Sequence, residues 1–328
     1  MLKIPTILAA DELLDKAFKK ASKAGSQGLT RIETVRETNI SKVRSANDVI
    51  VSTLGKYVKA FPSIERLSPF YAELIDVTIG KDKLKKSLGA MDWCRGSVAR
   101  VSREAIRTIA NARSIDAIDG SRRAAYGRMS SIVKQIDKEL KFISNARNTI
   151  RKFPTVDLSA PTIVIAGAPN VGKSLLVGQI STGKPRVAVY PFTTQEISLG
   201  IFEREYVRYQ VIDTPGLLDR PLEERNAMEM RAVLALKHLA DAIVFIVDPS
   251  ETCGYTRAEQ EHLLSSLKGE FSSTPIIVVE NKVDLLRADS DRSKLSALSG
   301  EGVSEFMELL IGVVGGDRKH QNAYSANR

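Results

Sequence analysis

The segment GAPNVGKS, residues 167–174, places Gly167, Gly172, Lys173 and Ser174 at the spacing a backbone wrap around phosphate oxygens requires. The two glycines permit a tight turn whose N–H groups face an anion; Ala168, Pro169, Asn170 and Val171 fill the loop, and Leu175 comes directly after it. Lys173 supplies a point charge for β- and γ-phosphates, and Ser174 supplies a hydroxyl for Mg²⁺. The segment comes after the apolar run TIVIAG and opens a helical one, the strand–loop–helix setting in which this pattern has chemical meaning. Alone, the pattern does not separate ATP from GTP.

A second segment, VIDTPGLLDR at 211–220, also begins in an apolar run. Asp213 can hold Mg²⁺ through water, and the Gly216 N–H can reach a γ-phosphate. Many nucleotide switches place after that glycine a Gln that orients the attacking water; Leu217 stands here instead and cannot do so. No residue of the chain reads as a general base.

A third segment, NKVD at 281–284, reads the base. The Asp284 carboxylate can accept from N1–H and N2–H₂ of guanine, a donor pair adenine lacks, so the contact rejects ATP. Asn281 can hydrogen-bond near N7 and the loop, and the Lys282 stem can cover the base. Ser296, Ala297 and Leu298 stand where a last base-contacting loop belongs, with the Ala297 N–H toward guanine O6. Between the first two segments lies YPFTTQEISLG at 190–200, containing Phe192, Thr193 and Thr194. One threonine hydroxyl there should complete the Mg²⁺ shell when the γ-phosphate is present; Thr194, nearer the next strand, is favoured over Thr193. The order of the segments points to GTP/GDP and Mg²⁺.

These groups must be positioned by alternating strands and helices, which the residues beyond KFPTVDLSAP (152–161) supply. TIVIAG, ISLGIFE, VRYQVID, AIVFIV, TPIIVVE and a short KLSAL read as strands; the segments between read as helices. The first 155 residues read differently, with helical periodicity throughout. Helices are expected over 30–60, 81–117 and 121–152, with Asp119-Gly120 as the turn between the last two. Val98, Val101, Ala105, Ile109 and Ala112 form one face of the 81–117 segment; Arg100, Arg103 and Arg107 lie opposite. The expected architecture is therefore an N-terminal helical bundle (1–155), a P-loop domain with a doubly wound, mostly parallel sheet (156–315) and a flexible tail (316–328).

Charge divides the same way. Residues 1–155 hold 30 Lys and Arg against 16 Asp and Glu, a net +14, while the remainder holds 18 against 23, a net −5. A polyanion partner is expected for the helical part. Two distant cysteines and three scattered histidines give neither a disulfide scaffold nor a metal cluster, and no apolar run spans a bilayer. A cytoplasmic, monomeric protein without membrane attachment is the expectation.

YPFTTQEISLG and DTPGLLDRPLEERN resemble the Obg-type GTPases. With ADELLDKAFKKASK, SPFYAELID and AAYGRMSSIVK from the helical half, the chain resembles a short, archaeal-like member of the nucleolar GTP-binding protein 1 family, up to about residue 315. Nuclear members continue beyond the GTPase, so roles of that extension are not carried over. The resemblance implies assembly of the large ribosomal subunit, with that subunit or its precursor (rRNA and ribosomal proteins) as partner. The helical part would dock on rRNA; Arg100, Arg103, Arg107, Arg122, Arg123 and Arg128 are its candidate contacts, against a solvated helix face. GTP would be hydrolysed to GDP and phosphate with low intrinsic turnover, through Lys173, Thr194 and Gly216. Asn170 is a candidate potassium ligand, as in related potassium-activated GTPases; a group supplied by the particle is the alternative. A second reading is an RNA-binding structural factor that uses GTP as an occupancy signal. A third, a tRNA-modifying or stress-sensing GTPase, lacks a visible added domain.

Overall fold

The computed structural model describes residues 4–153, 155–183, 185–188, 197–220, 225 and 227–325. They form two compact units: the residues up to Arg66 with Ile79–Arg151, and Leu67–Thr78 with the chain from Lys152 onward.

The first unit is helical. α1 (Ala10–Ser22) and α2 (Arg31–Ala60) precede a short 3₁₀ turn; α3 (Pro69–Thr78) belongs to the second unit; α4 (Lys81–Asn111), α5 (Ile115–Gln135) and α6 (Asp137–Ile150) complete the first. α2 starts where Thr30 Oγ1 accepts from the Glu33 N–H and Glu33 Oε2 accepts from the Thr30 N–H, a reciprocal cap. Buried Leu84, Ser87, Met91, Cys94, Val98, Val101, Ala105 and Ile109 repeat at three- and four-residue steps along α4, and Ile40, Val43, Ala46, Ile50, Leu54 and Tyr57 do so along α2. These two stripes face one another; α1 closes on α2, while α5 and α6 close on α4.

The helix break falls elsewhere than Asp119-Gly120, which lie inside α5. The chain turns at residues 112–114 instead, where Ser114 Oγ accepts from the Ala117 N–H (3.2 Å). Ile118, Ala125, Met129 and Val133 are buried on one face of α5. A turn at 119–120 would take Ile118 off that stripe, so burial outweighs the turn preference of Asp-Gly. A further break at Ile136 separates α5 from α6.

The second unit carries β1 (Thr162–Ala166), α7 (Lys173–Ile180), β2 (Arg186–Ala188), β3 (Ile197–Arg204), β4 (Val207–Asp213), α8 (Ala227–Lys237), β5 (Ala242–Val247), α9 (Arg257–Glu270), β6 (Ile276–Glu280), β7 (Ser293–Lys294) and α10 (Val303–Ser325). The sheet order is β2-β3-β4-β1-β5-β6-β7. β1 runs parallel to β4 and β5, β6 parallel to β5 and β7; β3 is antiparallel to β2 and β4. Every residue of β1 and β5 is buried, which explains their unbroken apolar character. The expected strand KLSAL is a two-residue strand that runs into a turn, because Ser296 Oγ accepts from the Ser299 N–H and folds the chain back.

Two boundaries differ from the sequence reading, those of α3 and of the tail. α3 packs against α8 and so joins the sheet unit, although its sequence lies within the helical half. Residues 156–161 are a strap on that unit: the Gln210 amide accepts from the Asp157 N–H (2.8 Å) and donates to the Asp157 carbonyl (2.7 Å), and Tyr71 Oη accepts from the Val156 N–H (3.2 Å). The expected tail at 316–328 is helical through Ser325; no proline interrupts it, and its Arg, Lys, Gln and Ala favour helix.

Both cysteines are buried. Burial pushes the Cys94 thiol up to about 12, and raises Cys253 as well. The thiolate is the reactive form, so neither should react with a disulfide reagent near pH 8 in the folded chain, and both should react in denaturant. Rapid labelling of Cys94 in the native chain would contradict this packing.

Candidate nucleotide-binding site

Four loops leave the carboxyl ends of adjacent parallel strands. β1 leads to GAPNVGKS, β4 to DTPG, β5 to Asp248 and β6 to NKVD, with Ile165 in register with Asp213 and Val247 with Glu280. This end of an open α/β sheet is where ligands bind. The first loop demands its glycines. Gly167 has φ +139°, and a Cβ there would lie 2.5 Å from the Ile246 carbonyl oxygen. Gly172 has φ +101°, and a Cβ would collide with Asn281 Nδ2. Both a left-handed backbone and close approach exclude a side chain at each position.

Lys173 begins α7 and is buried. Its Nζ donates to the carbonyls of Gly167 (2.9 Å) and Ala168 (2.8 Å). Burial pulls its pKa down, opposed by the negative charges of Asp219 and Asp213. Ser174 Oγ donates to Asp213 Oδ2, and burial pushes the Asp213 carboxyl up against that hydrogen bond and the Lys173 charge. Asp213 Oδ1 is buried and meets no hydrogen-bond donor among the described residues. A carboxylate oxygen without a partner beside a hydroxyl is a hard-oxygen set that fits Mg²⁺. Pro169, Asn170, Gly172, Lys173, Ser174, Leu175, Pro215 and Asp219 line a cavity of about 490 Å³ over this group.

The base side is built around Asn281. Its Nδ2 donates to the Val171 carbonyl (2.7 Å) and its Oδ1 accepts from the Ala297 N–H (2.8 Å). One side chain thus ties the phosphate loop, NKVD and the 296–298 turn together, but it also occupies the Ala297 N–H expected to face guanine O6. Lys282 has φ +64°; its Nζ donates to Asp248 Oδ2 (2.7 Å) and Thr252 Oγ1 (2.8 Å), laying the stem across the loop. Asn170, Gly172, Leu175, Asp284, Ser296 and Leu298 are among the walls of a second cavity of about 250 Å³. Asp284 is exposed there, Ser296 is buried, and Leu298 is 72% exposed.

Leu217 is 1% exposed and belongs to the core under the loop. The Gly216 N–H donates to Asp219 Oδ2 (2.8 Å), a partner that pattern reading missed, as it missed Asp248 and Thr252. Asp219 stands three residues after a glycine in a turn, a spacing that sequence alone does not distinguish from a solvated loop acid. Asn170 is exposed at the lip of both cavities, with φ +61°. Phe192, Thr193 and Thr194 lie outside the described residues.

In the helical unit Arg100, Arg103, Arg107 and Arg123 are exposed. Arg122 Nε donates to Asn39 Oδ1 (2.6 Å) and its guanidinium lies 5.5 Å from the Tyr126 ring centroid. Arg128 pairs with Glu104 at 3.1 Å. These two are engaged within the unit, unlike the first four among the described residues.

Two family models match the chain: "NOG1 N-terminal helical domain" over residues 2–157 and "Nucleolar GTP-binding protein 1 (NOG1)" over residues 227–284. An uncharacterized protein of Methanocaldococcus jannaschii is 40% identical over 296 residues, covering 89% of this chain and 82% of that protein. Nucleolar GTP-binding protein 1 of Encephalitozoon cuniculi is 36% identical over 301 residues, covering 91% of this chain and 57% of that protein. The chain spans about half the length of the relatives bearing that name, from 42% in Arabidopsis thaliana to 57% in E. cuniculi. A crystal structure of a nucleolar GTP-binding protein 1 from Plasmodium falciparum shares 32% identity at a TM-score of 0.48, covering 53% of this chain and 96% of that one.

Gly172→Ala should displace Asn281 and leave buried polar groups unpaired. Nucleotide affinity, read by titration with a fluorescent guanine nucleotide, should fall by about tenfold or more. Unchanged affinity would show that Gly172 and Asn281 are not coupled.

Proposed function

The chain belongs to the nucleolar GTP-binding protein 1 family, and from that premise we propose that its sheet unit binds GTP with Mg²⁺ and hydrolyses it to GDP and phosphate as a switch in large ribosomal subunit assembly. The observation that carries the nucleotide reading is the junction made by Asn281, which sets a phosphate loop beside a cavity walled by Asp284. The Asp284 carboxylate accepts the paired donors of guanine; the loop N–H groups and Lys173 meet the phosphates. Ser174, and Asp213 through water, would hold Mg²⁺, which supplies charge neutralisation between the β- and γ-phosphates. Lys173 must exchange two carbonyl contacts for phosphate oxygens, so binding GTP reorganises the loop.

The helical unit is proposed to dock on rRNA in the subunit or its precursor. The net charge of +14 over residues 1–155 and the exposed Arg100, Arg103, Arg107 and Arg123 support that, by backbone rather than base contacts. Turnover by the chain alone is expected to be slow. Leu217 is buried and cannot hold a water, so a potassium ion near Asn170 or a group from the particle must supply what it lacks. The same buried leucine favours a second reading, an RNA-binding factor for which GTP is an occupancy signal.

Asp284→Asn offers a donor where guanine needs an acceptor. It should weaken GTP by about two orders of magnitude and admit xanthosine triphosphate, whose C2 carbonyl accepts. Retained GTP preference would remove Asp284 from base recognition. GTP turnover should rise in potassium over sodium buffer, or on adding large ribosomal subunits or their precursors. Particle binding without any stimulation would favour the occupancy reading.

A further inference from the structure

The Gly216 N–H has a protein acceptor inside the phosphate cavity. The turn that presents it is tied to the core: the Leu217 N–H donates to the Thr214 carbonyl (3.2 Å), and the Leu218 carbonyl accepts from the Gly167 N–H (3.4 Å). Leu217 and Leu218 are both buried. On the far side, Arg220 pairs with Glu229 of α8 (2.6 Å), and the Arg220 carbonyl accepts from Arg225 Nη2 (2.8 Å). Asp219 therefore sits between two fixed points. Its Oδ2 accepts from the Gly216 N–H at 2.8 Å, and the residue lines the same cavity wall as Lys173, Ser174 and Pro215.

A γ-phosphate in this cavity needs that same N–H. One donor cannot serve two anions at full strength, and two anions at one donor repel. We propose that Asp219 sets the balance between di- and triphosphate, its carboxylate competing with the γ-phosphate for the Gly216 amide. A diphosphate uses the N–H groups of residues 170–174 and leaves the Asp219 contact intact. A triphosphate displaces the carboxylate, and through Arg220 that displacement pulls on Glu229 at the start of α8. Asp219 is a positioning residue, since it acts on the Gly216 amide and not on a reacting atom. The inference rests on reading the cavity as a guanine-nucleotide site.

The test is the affinity of the full chain for GDP and for a non-hydrolysable GTP analogue, each with Mg²⁺, in the native protein, Asp219→Ala and Asp219→Asn. Asp219→Ala should tighten the analogue by about tenfold and leave GDP within about twofold. Asp219→Asn keeps the shape and a weaker, neutral acceptor, so it should fall between; it decides the matter alone if the alanine variant does not fold. An equal change for both nucleotides, or none, would reduce Asp219 to a loop-structure role and overturn the proposal. A native chain that binds neither nucleotide would overturn the guanine reading itself, and this inference with it.

Discussion

The side-chain amide of Asn281 is the contact on which the second unit's chemistry hangs. It is buried, it donates to the Val171 carbonyl, it accepts from the Ala297 N–H, and its own backbone N–H donates to the Val247 carbonyl. Three loops and the ends of two strands meet at one residue. A buried amide with both ends satisfied stabilises modestly; one with an end left open costs about 1–3 kcal/mol. This asymmetry makes the junction all-or-none. It also explains the backbone at Gly172, which approaches the amide so closely that no side chain fits.

Around that fixed junction, the groups facing the phosphates are held by partners that a ligand must replace. Lys173 is bound to two carbonyls of its own loop, Ser174 to Asp213, and the Gly216 N–H to Asp219. Burial works against charge on both Lys173 and Asp213, while their mutual attraction and the Ser174 hydrogen bond oppose it. A polyanion with its cation would relieve both. The base side needs less rearrangement, because Lys282 is already laid down by Asp248 and Thr252. Under the proposed nucleotide reading, the side around Asn281 and Lys282 is already tied down, while the groups around Lys173 and Gly216 must exchange partners.

The helical unit divides its arginines between structure and surface. Arg122 is bound to Asn39 and stacked near Tyr126, and Arg128 is paired with Glu104, so their charge is partly used at home. Arg100, Arg103 and Arg107 share the exposed face of α4, opposite its buried stripe. A stiff helix of 31 residues presents those charges at fixed spacing, which suits a phosphate backbone better than a mobile run would.

Spacing in the sequence was enough to single out the segments at 167–174, 213–216 and 281–284, which the sheet brings to one end, because each pattern is local in the chain. Periodicity likewise marked the stripe of α4 and the buried strands β1 and β5, since burial repeats with the element's own period. Long-range contacts were not legible. That α3 joins the sheet unit depends on its packing against α8, far away along the chain. That the chain turns at Ser114 rather than at Asp119-Gly120 depends on which face of α5 is buried. That Asp219 takes the Gly216 amide, and Asn281 the Ala297 amide, depends on backbone turns that bring acceptor to donor. Local patterns identify which groups can do chemistry; only the packed chain decides which of them already hold one another.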